Sequence, residues 1–194
     1  ARYATYHLQL RPGTNVALLN MMLYYIISDG LEDKTFIESR TEGYEEFKKY
    51  LLSLDVNDLE NICGVDKNLV RKAAAAYANA PNAMSFHGLG VTEHSQGTFA
   101  VMLIADLAMI TGNIGRIGVG VNPLRGQNNV QGAADMGCQP HQGAGYLDSY
   151  DPEINKMFSD FYKVPVPVRA GLKIPEMFDA SINGKLKALW LMGE

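Results

Sequence analysis

The strongest constraint on the fold is a pattern that occurs twice: a short apolar stretch, a glycine-containing turn, then a helical period. The first copy predicts a strand over Thr5–Leu10, a turn over residues 11–15 and a helix that ends at Gly30. The second copy predicts a strand over Ala83–His87, a turn with two glycines and a helix that ends at Gly112. A glycine turn between a strand and a helix allows a ligand to approach the backbone closely.

The rest of the chain completes the predicted architecture. Residues 33–80 have a charged, helical pattern, with Asp66 predicted to cap one helix, and Leu186–Met192 is predicted to be a third strand. Strands that alternate with helices pair in parallel and are covered on both faces. The prediction is therefore an α/β, Rossmann-like three-layer domain, with a mostly parallel sheet flanked by helices. Ligands of such sheets bind at the carboxyl ends of the strands.

Charge and hydropathy exclude two classes of partner. The 194 residues carry a formal net charge of −4 without a cluster of Lys or Arg, so we expect no nucleic-acid partner. The longest apolar run, Phe99–Ile110, contains Asp106 and is too short to span a membrane. No export signal is visible near the first residue, so we expect a cytoplasmic protein, or a periplasmic one if a signal precedes residue 1.

The two cysteines do not form a recognisable metal or disulfide motif. Cys63 and Cys138 are far apart, and neither belongs to a CxxC or Cys/His cluster. We interpret Cys63 as a small buried apolar side chain, and for Cys138, in a glycine-rich segment, we also favour a structural role. We expect no metal held by the thiolates of this chain.

The most informative segment is Thr111–Gly145, which has no secondary-structure period. It combines many glycines with amide side chains around one guanidinium, Arg125. A flexible linker would instead favour Ser, Glu and Lys. Fixed amides around a guanidinium suit a polar, anionic ligand, so we interpret residues 113–147 as a cofactor or substrate loop.

Residues 120–133, GVNPLRGQNNVQGA, resemble the catalytic (alpha) subunit of molybdenum- or tungsten-dependent formate dehydrogenases, which belong to the bis-molybdopterin guanine dinucleotide oxidoreductases. The resemblance covers nearly the whole chain. It includes LRPGTNVAL at 10–18, FIESRTEG at 36–43, GLGVT at 88–92 and LAMITGNIG at 107–115. It also includes LMGE at 191–194. The RGQNNVQG run is specific to the formate dehydrogenase branch.

The resemblance implies roles for individual residues. Arg125 matches the arginine that binds substrate, and a guanidinium can hold a carboxylate by two parallel hydrogen bonds. Gln127 matches an amide that reaches the pterin. The positions that match contacts to the guanine dinucleotide cofactor are Gly13, Asn15, Gly88, Leu89, Gly90 and Glu93.

The same resemblance implies that the chain is a fragment of a larger catalytic subunit, forming one α/β domain over residues 1–194. The implied cofactor is bis-molybdopterin guanine dinucleotide with Mo or W, and a 4Fe-4S cluster would lie in the parent protein outside this sequence. The implied reaction interconverts formate and CO2, with the rest of the catalytic subunit and electron-transfer subunits as partners. We expect the fragment alone to be inactive.

Two alternatives remain open at this stage. One is another oxidoreductase of the same family, of the nitrate reductase or formylmethanofuran dehydrogenase type, against which the RGQNN run at 125–129 argues. The other is a non-catalytic nucleotide-binding module, which would use the glycine turns but leave the cluster around Arg125 without a purpose.

Overall fold

The computed structural model of the protein describes residues 2–191. By internal packing the chain divides into two compact units, unit one over residues 1–126 and unit two over residues 127–194. A division by packing does not show whether the two units fold separately, so a single domain over 1–194 stays a prediction.

Unit one contains most of the regular structure. Its elements in chain order are α1 (Asn15–Ser28), α2 (Lys34–Arg40), α3 (Tyr44–Leu52), α4 (Val56–Cys63), α5 (Lys67–Ala78), β1 (Met84–His87), α6 (Leu89–Thr92), α7 (Gly97–Ile110) and β2 (Gly120–Pro123). Unit two contains α8 (Val130–Asp135), a short 3-10 helix (Ala144–Tyr146), α9 (Pro152–Tyr162) and α10 (Ile174–Ile182).

Helix α1 is the centre of the core of unit one. Its side chains Met21, Leu23 and Ile26 are fully buried, and the helix packs against α3, α4, α5 and α7. The predicted end at Gly30 is confirmed, because Gly30 has a φ of 68° and donates its N–H to the carbonyl of Ile27. Together with the bond from Leu31 N–H to the carbonyl of Ile26, this forms a Schellman cap.

The helices of residues 33–80 begin at aspartates. The carboxylate of Asp66 accepts a hydrogen bond of 2.9 Å from the N–H of Leu69, which confirms the predicted cap of α5. Asp33 and Asp55 cap α2 and α4 in the same way.

The sheet has two parallel strands within the described residues. Met84 pairs with Gly120 at one end of the register, and His87 pairs with Pro123 at the other. The predicted strand at 83–87 and the α/β class with parallel pairing are confirmed. Strand β2, helix α8 and the start of the 3-10 helix lie inside the segment 111–145 that was predicted to be aperiodic, so that prediction is wrong at residues 120–123, 130–135 and 144–145.

Two other strand predictions are wrong. Residues 5–10 form no strand. The N–H of Leu10 donates to the carbonyl of Leu8, which makes a tight turn, and the N–H of Arg11 then donates to the carbonyl of Cys63. Residues 186–191 also form no strand, since no neighbouring strand pairs with them in residues 2–191. Met192, the last residue of that prediction, and the final residues 193–194 lie outside the described part.

Unit two is held together by a buried amide and an aromatic ring. The Nδ2 group of Asn155 donates to the carbonyls of Ser149 at 2.9 Å and Val166 at 3.2 Å, which ties two loops to α9. Gly143 packs so closely on the Phe158 ring that a Cβ there would overlap it. Among residues 2–191 of both units, no helix is long and apolar enough to cross a membrane.

Candidate functional site

The carboxyl ends of β1 and β2 meet at one edge of the sheet. The N–H of Leu124 donates to the carbonyl of His87 over 2.7 Å, which extends the pairing one residue past β2. A Cβ on Gly88 would lie 3.2 Å from the carbonyl oxygen of Leu124. The tight approach of the two chains therefore favours glycine at position 88.

Arg125 lies directly beyond this contact and is exposed. Among the described residues, its guanidinium has neither a hydrogen-bond acceptor nor an ion-pair partner. A guanidinium with five free donors at the carboxyl edge of a parallel sheet is suited to bind an anion in a bidentate manner.

The turn after β1 exposes backbone next to this edge. Leu89 is 47% exposed, and a Cβ on Gly90 would meet no other atom within 4 Å. The Nε2 atom of His94 lies 3.0 Å from the carbonyl oxygen of Gly90, so this histidine braces the turn. Glu93, at the end of α6, is exposed.

The start of α1 contacts the same turn from the other side. Gly13, Asn15 and Val16 line a crevice with Val91 and His94 that is too narrow to admit a water molecule. Gly13 has a φ of 81°, which favours glycine there. The structure thus brings Gly13 and Asn15 close to the turn that contains Gly90, although no strand precedes Gly13.

One predicted residue falls in the other unit. Gln127 is the first residue of unit two, where it is exposed. Its predicted contact with a pterin stays a prediction.

Sequence reasoning missed a buried histidine at the edge. His87 is 7% exposed, and its Nδ1 atom has no hydrogen-bond partner among the described residues. The alternation along β1 gave the only signal, since His87 and the half-buried Ser85 share one face of the strand.

A buried asparagine fixes the start of β1. The Oδ1 atom of Asn113 accepts from the N–H of Ala83 at 3.0 Å and from Arg116 at 3.1 Å. Its Nδ2 donates to the hydroxyl of Thr111. The side chain is 1% exposed, so this network anchors the strand from inside the protein.

The cysteines behave differently from each other. Cys63 is fully buried, as predicted, whereas Cys138 is exposed, so the structural role favoured for it is wrong as a packing role. No group of three or more metal-ligating side chains occurs among residues 2–191.

Five ionisable groups among the described residues have raised pKa values, and Tyr44 and Asp106 are two of them. Burial raises the pKa of Tyr44 to about 12, and the neighbouring Glu32 carboxylate adds to the increase. Burial also raises the pKa of Asp106, the carboxylate that interrupts the apolar helix α7.

Comparisons with known proteins identify the family of the chain. The family described as molybdopterin oxidoreductase matches residues 1–194. The chain therefore belongs to the molybdopterin oxidoreductase family.

The relatives are more particular than the family. The chain is 47% identical, over its whole length, to the F420-dependent formate dehydrogenase subunit alpha of Methanocaldococcus jannaschii, of which it covers 28%. It is 43% identical over its whole length to formate dehydrogenase H of Escherichia coli, of which it covers 27%. Among solved structures, acetylene hydratase from Pelobacter acetylenicus matches this chain with a TM-score of 0.56 and 30% identity. The match covers 60% of this chain and 16% of the acetylene hydratase chain. The chain thus spans little more than a quarter of the curated relatives it matches.

Proposed function

We propose that this chain is the molybdopterin-cofactor-binding part of a formate dehydrogenase catalytic subunit, and that Arg125 binds the substrate carboxylate. The observation that carries the proposal is the unpaired guanidinium at the carboxyl edge of β1 and β2. The two relatives named above are formate dehydrogenases, and both match the whole chain.

The chemistry of formate oxidation explains the value of this arginine. Formate loses one proton and two electrons to become CO2, so a catalyst must hold a small anion in one orientation. A guanidinium stays protonated throughout, and its two parallel N–H groups match the two carboxylate oxygens. Arg125 would orient formate and stabilise its charge at the edge of the sheet.

The unit-one residues fit a nucleotide cofactor laid along the edge. Leu89 and Gly90 are exposed beside Gly88, and the crevice beside Gly13 and Asn15 is too small to enclose a dinucleotide. The cofactor would therefore lie along the outside of the crevice. In unit two, Gln127 would offer its amide to the pterin.

The polar side chains of Glu93 and Asn15 match the guanosine end of the nucleotide better than its diphosphate. The carboxylate of Glu93 can only accept hydrogen bonds when ionised, so it suits guanine N–H groups or ribose hydroxyls and opposes a diphosphate. The amide of Asn15 can both donate to and accept from a base edge. Both residues would hold the guanosine end.

When bound, a bis-molybdopterin guanine dinucleotide with Mo or W would accept the two electrons from formate. The remaining metal ligand and a 4Fe-4S cluster would come from the rest of the catalytic subunit, with electron-transfer subunits beyond it. We expect the isolated 194-residue chain to be inactive. The location we expect is cytoplasmic, or periplasmic where an export signal precedes the sequence.

Substitution of Arg125 in the longer catalytic subunit tests the proposal. We expect Arg125→Ala to lower kcat/KM for formate by at least about 100-fold, the scale of a lost charge-assisted bidentate contact, with metal and pterin content unchanged. Arg125→Lys keeps the charge but not the fork, so we expect only partial recovery.

Lys49→Ala, an exposed cation on α3, is the matched control and should leave the kinetics unchanged. If Arg125→Ala retained wild-type kinetics with full cofactor content, the substrate role would be wrong. Loss of cofactor together with activity would assign Arg125 to cofactor binding instead.

A further inference from the structure

The last residue of β1, His87, carries a buried imidazole that the protein does not fully satisfy. His87 is 7% exposed, and its Nδ1 atom is sealed from solvent without a hydrogen-bond partner among the described residues. Folded proteins pair the large majority of their buried polar side-chain atoms, so the position of this ring needs an explanation.

The preceding polar side chain on the same face of β1 is satisfied. Ser85 and His87 are two residues apart, so the alternation of the strand places them on one face. The hydroxyl of Ser85 lies 3.1 Å from the phenol oxygen of Tyr77, within hydrogen-bond distance. The protein therefore supplies a partner on this face inside the strand, and His87 lacks one where the strand ends at the edge.

The two ring nitrogens of His87 have different surroundings. A proton on Nδ1 would be a buried N–H without an acceptor, which folded proteins rarely contain. Nε2 also has no hydrogen-bond partner among the described residues but, unlike Nδ1, it is not sealed from solvent. The proton therefore belongs on Nε2, and His87 presents one N–H donor at the carboxyl edge of the sheet.

The backbone of His87 is fixed at this edge. Its carbonyl accepts the 2.7 Å hydrogen bond from the N–H of Leu124, and its register partner in β2 is Pro123. Gly88, the next residue, approaches the carbonyl oxygen of Leu124 so closely that a Cβ would lie 3.2 Å from it. Because burial and this pairing hold the imidazole in place, a ligand that meets the donor loses little free energy in ordering it.

We propose that the Nε2–H group of His87 donates a hydrogen bond to a diphosphate oxygen of the bound molybdopterin guanine dinucleotide. The inference rests on the proposed function, in which a dinucleotide cofactor lies along this edge. His87 is then a cofactor-binding residue in addition to the residues of the glycine turn.

The position of His87 along the edge selects the diphosphate. From His87 the chain runs through the turn to Glu93, which suits the guanosine end of the cofactor. On the other strand Pro123, the register partner of His87, lies two residues before Arg125, the proposed substrate ligand. In the cofactor the diphosphate joins the guanosine to the pterin. A donor between the guanosine contacts and the substrate arginine is therefore placed for the diphosphate.

The chemistry of the available acceptors supports the same choice. In the proposed function Arg125 uses two parallel N–H groups for the two oxygens of formate, so formate does not require a third donor. A diphosphate has several anionic oxygens and needs donors, which the ionised carboxylate of Glu93 cannot provide. An N–H donor to an anionic oxygen makes a charge-assisted hydrogen bond, roughly twice as strong as a neutral one.

Binding of GDP and of guanosine to the cofactor-free longer catalytic subunit tests the contact. The two probes differ only by the diphosphate, so the ratio of their Kd values isolates what that group contributes. By isothermal titration calorimetry, we expect His87→Leu to reduce the preference for GDP by about 10- to 100-fold, the scale of one hydrogen bond to a charged group. An equal loss of affinity for both probes would overturn the proposal and give His87 a structural role. So would a wild-type subunit that does not prefer GDP to guanosine.

Two amide variants show which ring nitrogen acts. The side-chain NH2 group of glutamine extends about as far as Nε2, whereas that of asparagine extends only as far as Nδ1. Both amides are donors, so we expect His87→Gln to restore most of the GDP preference and His87→Asn to restore little. The opposite order would place the donor at Nδ1 and contradict the proposal. If His87→Leu fails to fold, this pair carries the test alone.

Ser85→Ala is the matched control. It removes the polar group that lies on the same face of β1 and is bonded to Tyr77 inside the protein. We expect it to lower the Tm without changing the ratio of the GDP and guanosine Kd values. A ratio that falls as far as in His87→Leu would show that any disturbance of β1 has this effect, and would overturn the proposal.

The outcome is separable from that of the Arg125 experiment. If Arg125→Ala keeps wild-type kinetics while His87→Leu loses the GDP preference, the substrate role is wrong and the diphosphate contact stands. If Arg125→Ala behaves as expected while His87→Leu keeps the GDP preference, the proposed function stands and the diphosphate contact is wrong. A raised KM for formate in His87→Leu would, in that second case, assign the donor to the substrate.

Discussion

The two units of this chain are built from similar elements but differ in what covers them. In unit one, α1 is surrounded by four other helices, and Met21, Leu23 and Ile26 are fully buried. In unit two, α10 is also a regular helix but has no buried residue, and its Ile174, Phe178 and Ile182 are exposed. The difference teaches that a helical period predicts the helix, whereas the identity of its neighbours decides whether it contributes to stability.

The same contrast separates two predicted strands. Residues 84–87 form β1 because residues 120–123 return to pair with them after α7. Residues 186–191 have comparable apolar character but meet no partner within residues 2–191. A β-strand forms only where a second segment pairs with it, so the pattern of one segment alone cannot establish a strand.

The largest expected effect is the loss of unfolding free energy when a buried leucine is truncated, compared with the loss when an exposed isoleucine is truncated. Leu23→Ala in the 194-residue chain should lower the free energy of unfolding of unit one by about 2–5 kcal/mol, since it opens a cavity at a fully buried site. Ile182→Ala, at an 84% exposed site on α10, should change stability by less than about 0.5 kcal/mol. Urea denaturation followed by fluorescence measures both, and equal losses would remove the contrast between the units.

The next effect concerns the buried amide that anchors β1. Asn113→Ala leaves the N–H of Ala83 without its acceptor, so we expect a loss of about 1–3 kcal/mol and faster amide exchange in β1. Asn79→Ala removes an exposed hydrogen bond from the side-chain amide to the carbonyl of Ala75 and serves as the control. Unchanged exchange at 84–87 would show that the sheet does not need this anchor.

A smaller and more local effect is expected in unit two. Asn155→Ala removes the donor that ties Ser149 and Val166 to α9, at a cost of about 1–2 kcal/mol. Limited proteolysis should then cut residues 145–170 faster, while α1 keeps its protection. If α1 lost protection as well, the two units would unfold together and would not be independent in stability.

The smallest effect depends on pH. Burial raises the pKa of Asp106 above its ordinary value of 3.8, so the folded state favours the protonated carboxyl. The stability that this provides is complete below pH 3.8 and is lost as the pH rises through the folded pKa. Asp106→Asn should therefore stabilise the protein at pH 7, by less than about 1 kcal/mol because the carboxylate is partly exposed and screened.

The measurement is the difference in Tm between variant and wild type across pH. The gain of Asp106→Asn should shrink towards zero as the pH falls to 3.8. A constant gain at every pH would show that packing, and not ionisation, separates the two proteins.

The sequence predicted the features that depend on local chemistry. Asp66 and Gly30 lie at helix ends as expected, because capping and a positive φ are properties of a few adjacent residues. Strand β2 was missed because four residues, GVNP, are too few to show alternation. The buried position of Asn113 depends on neighbours that are distant in the sequence, so no local pattern indicated it, and for His87 the alternation along β1 was the only local signal.

For the candidate site, the residue types were easier to predict than their arrangement. Arg125 and the turn at Gly88–Gly90 were singled out separately, and only the parallel register places them at one edge. The contact of Gly13 and Asn15 with the α6 turn required the packing of α1 on α7, which sequence spacing does not specify. Their roles toward a cofactor stay predictions.

The packing of α1 against α3, α4, α5 and α7 has a consequence for the order of folding during synthesis. Residues 15–28 are made before α7, which covers one side of them and ends only at Ile110. A ribosome that adds about 5–20 residues each second would therefore leave part of this apolar helix uncovered for several seconds. Until α7 emerges, this apolar helix is only partly covered, so we expect slower translation between residues 28 and 110 to increase aggregation of the nascent chain.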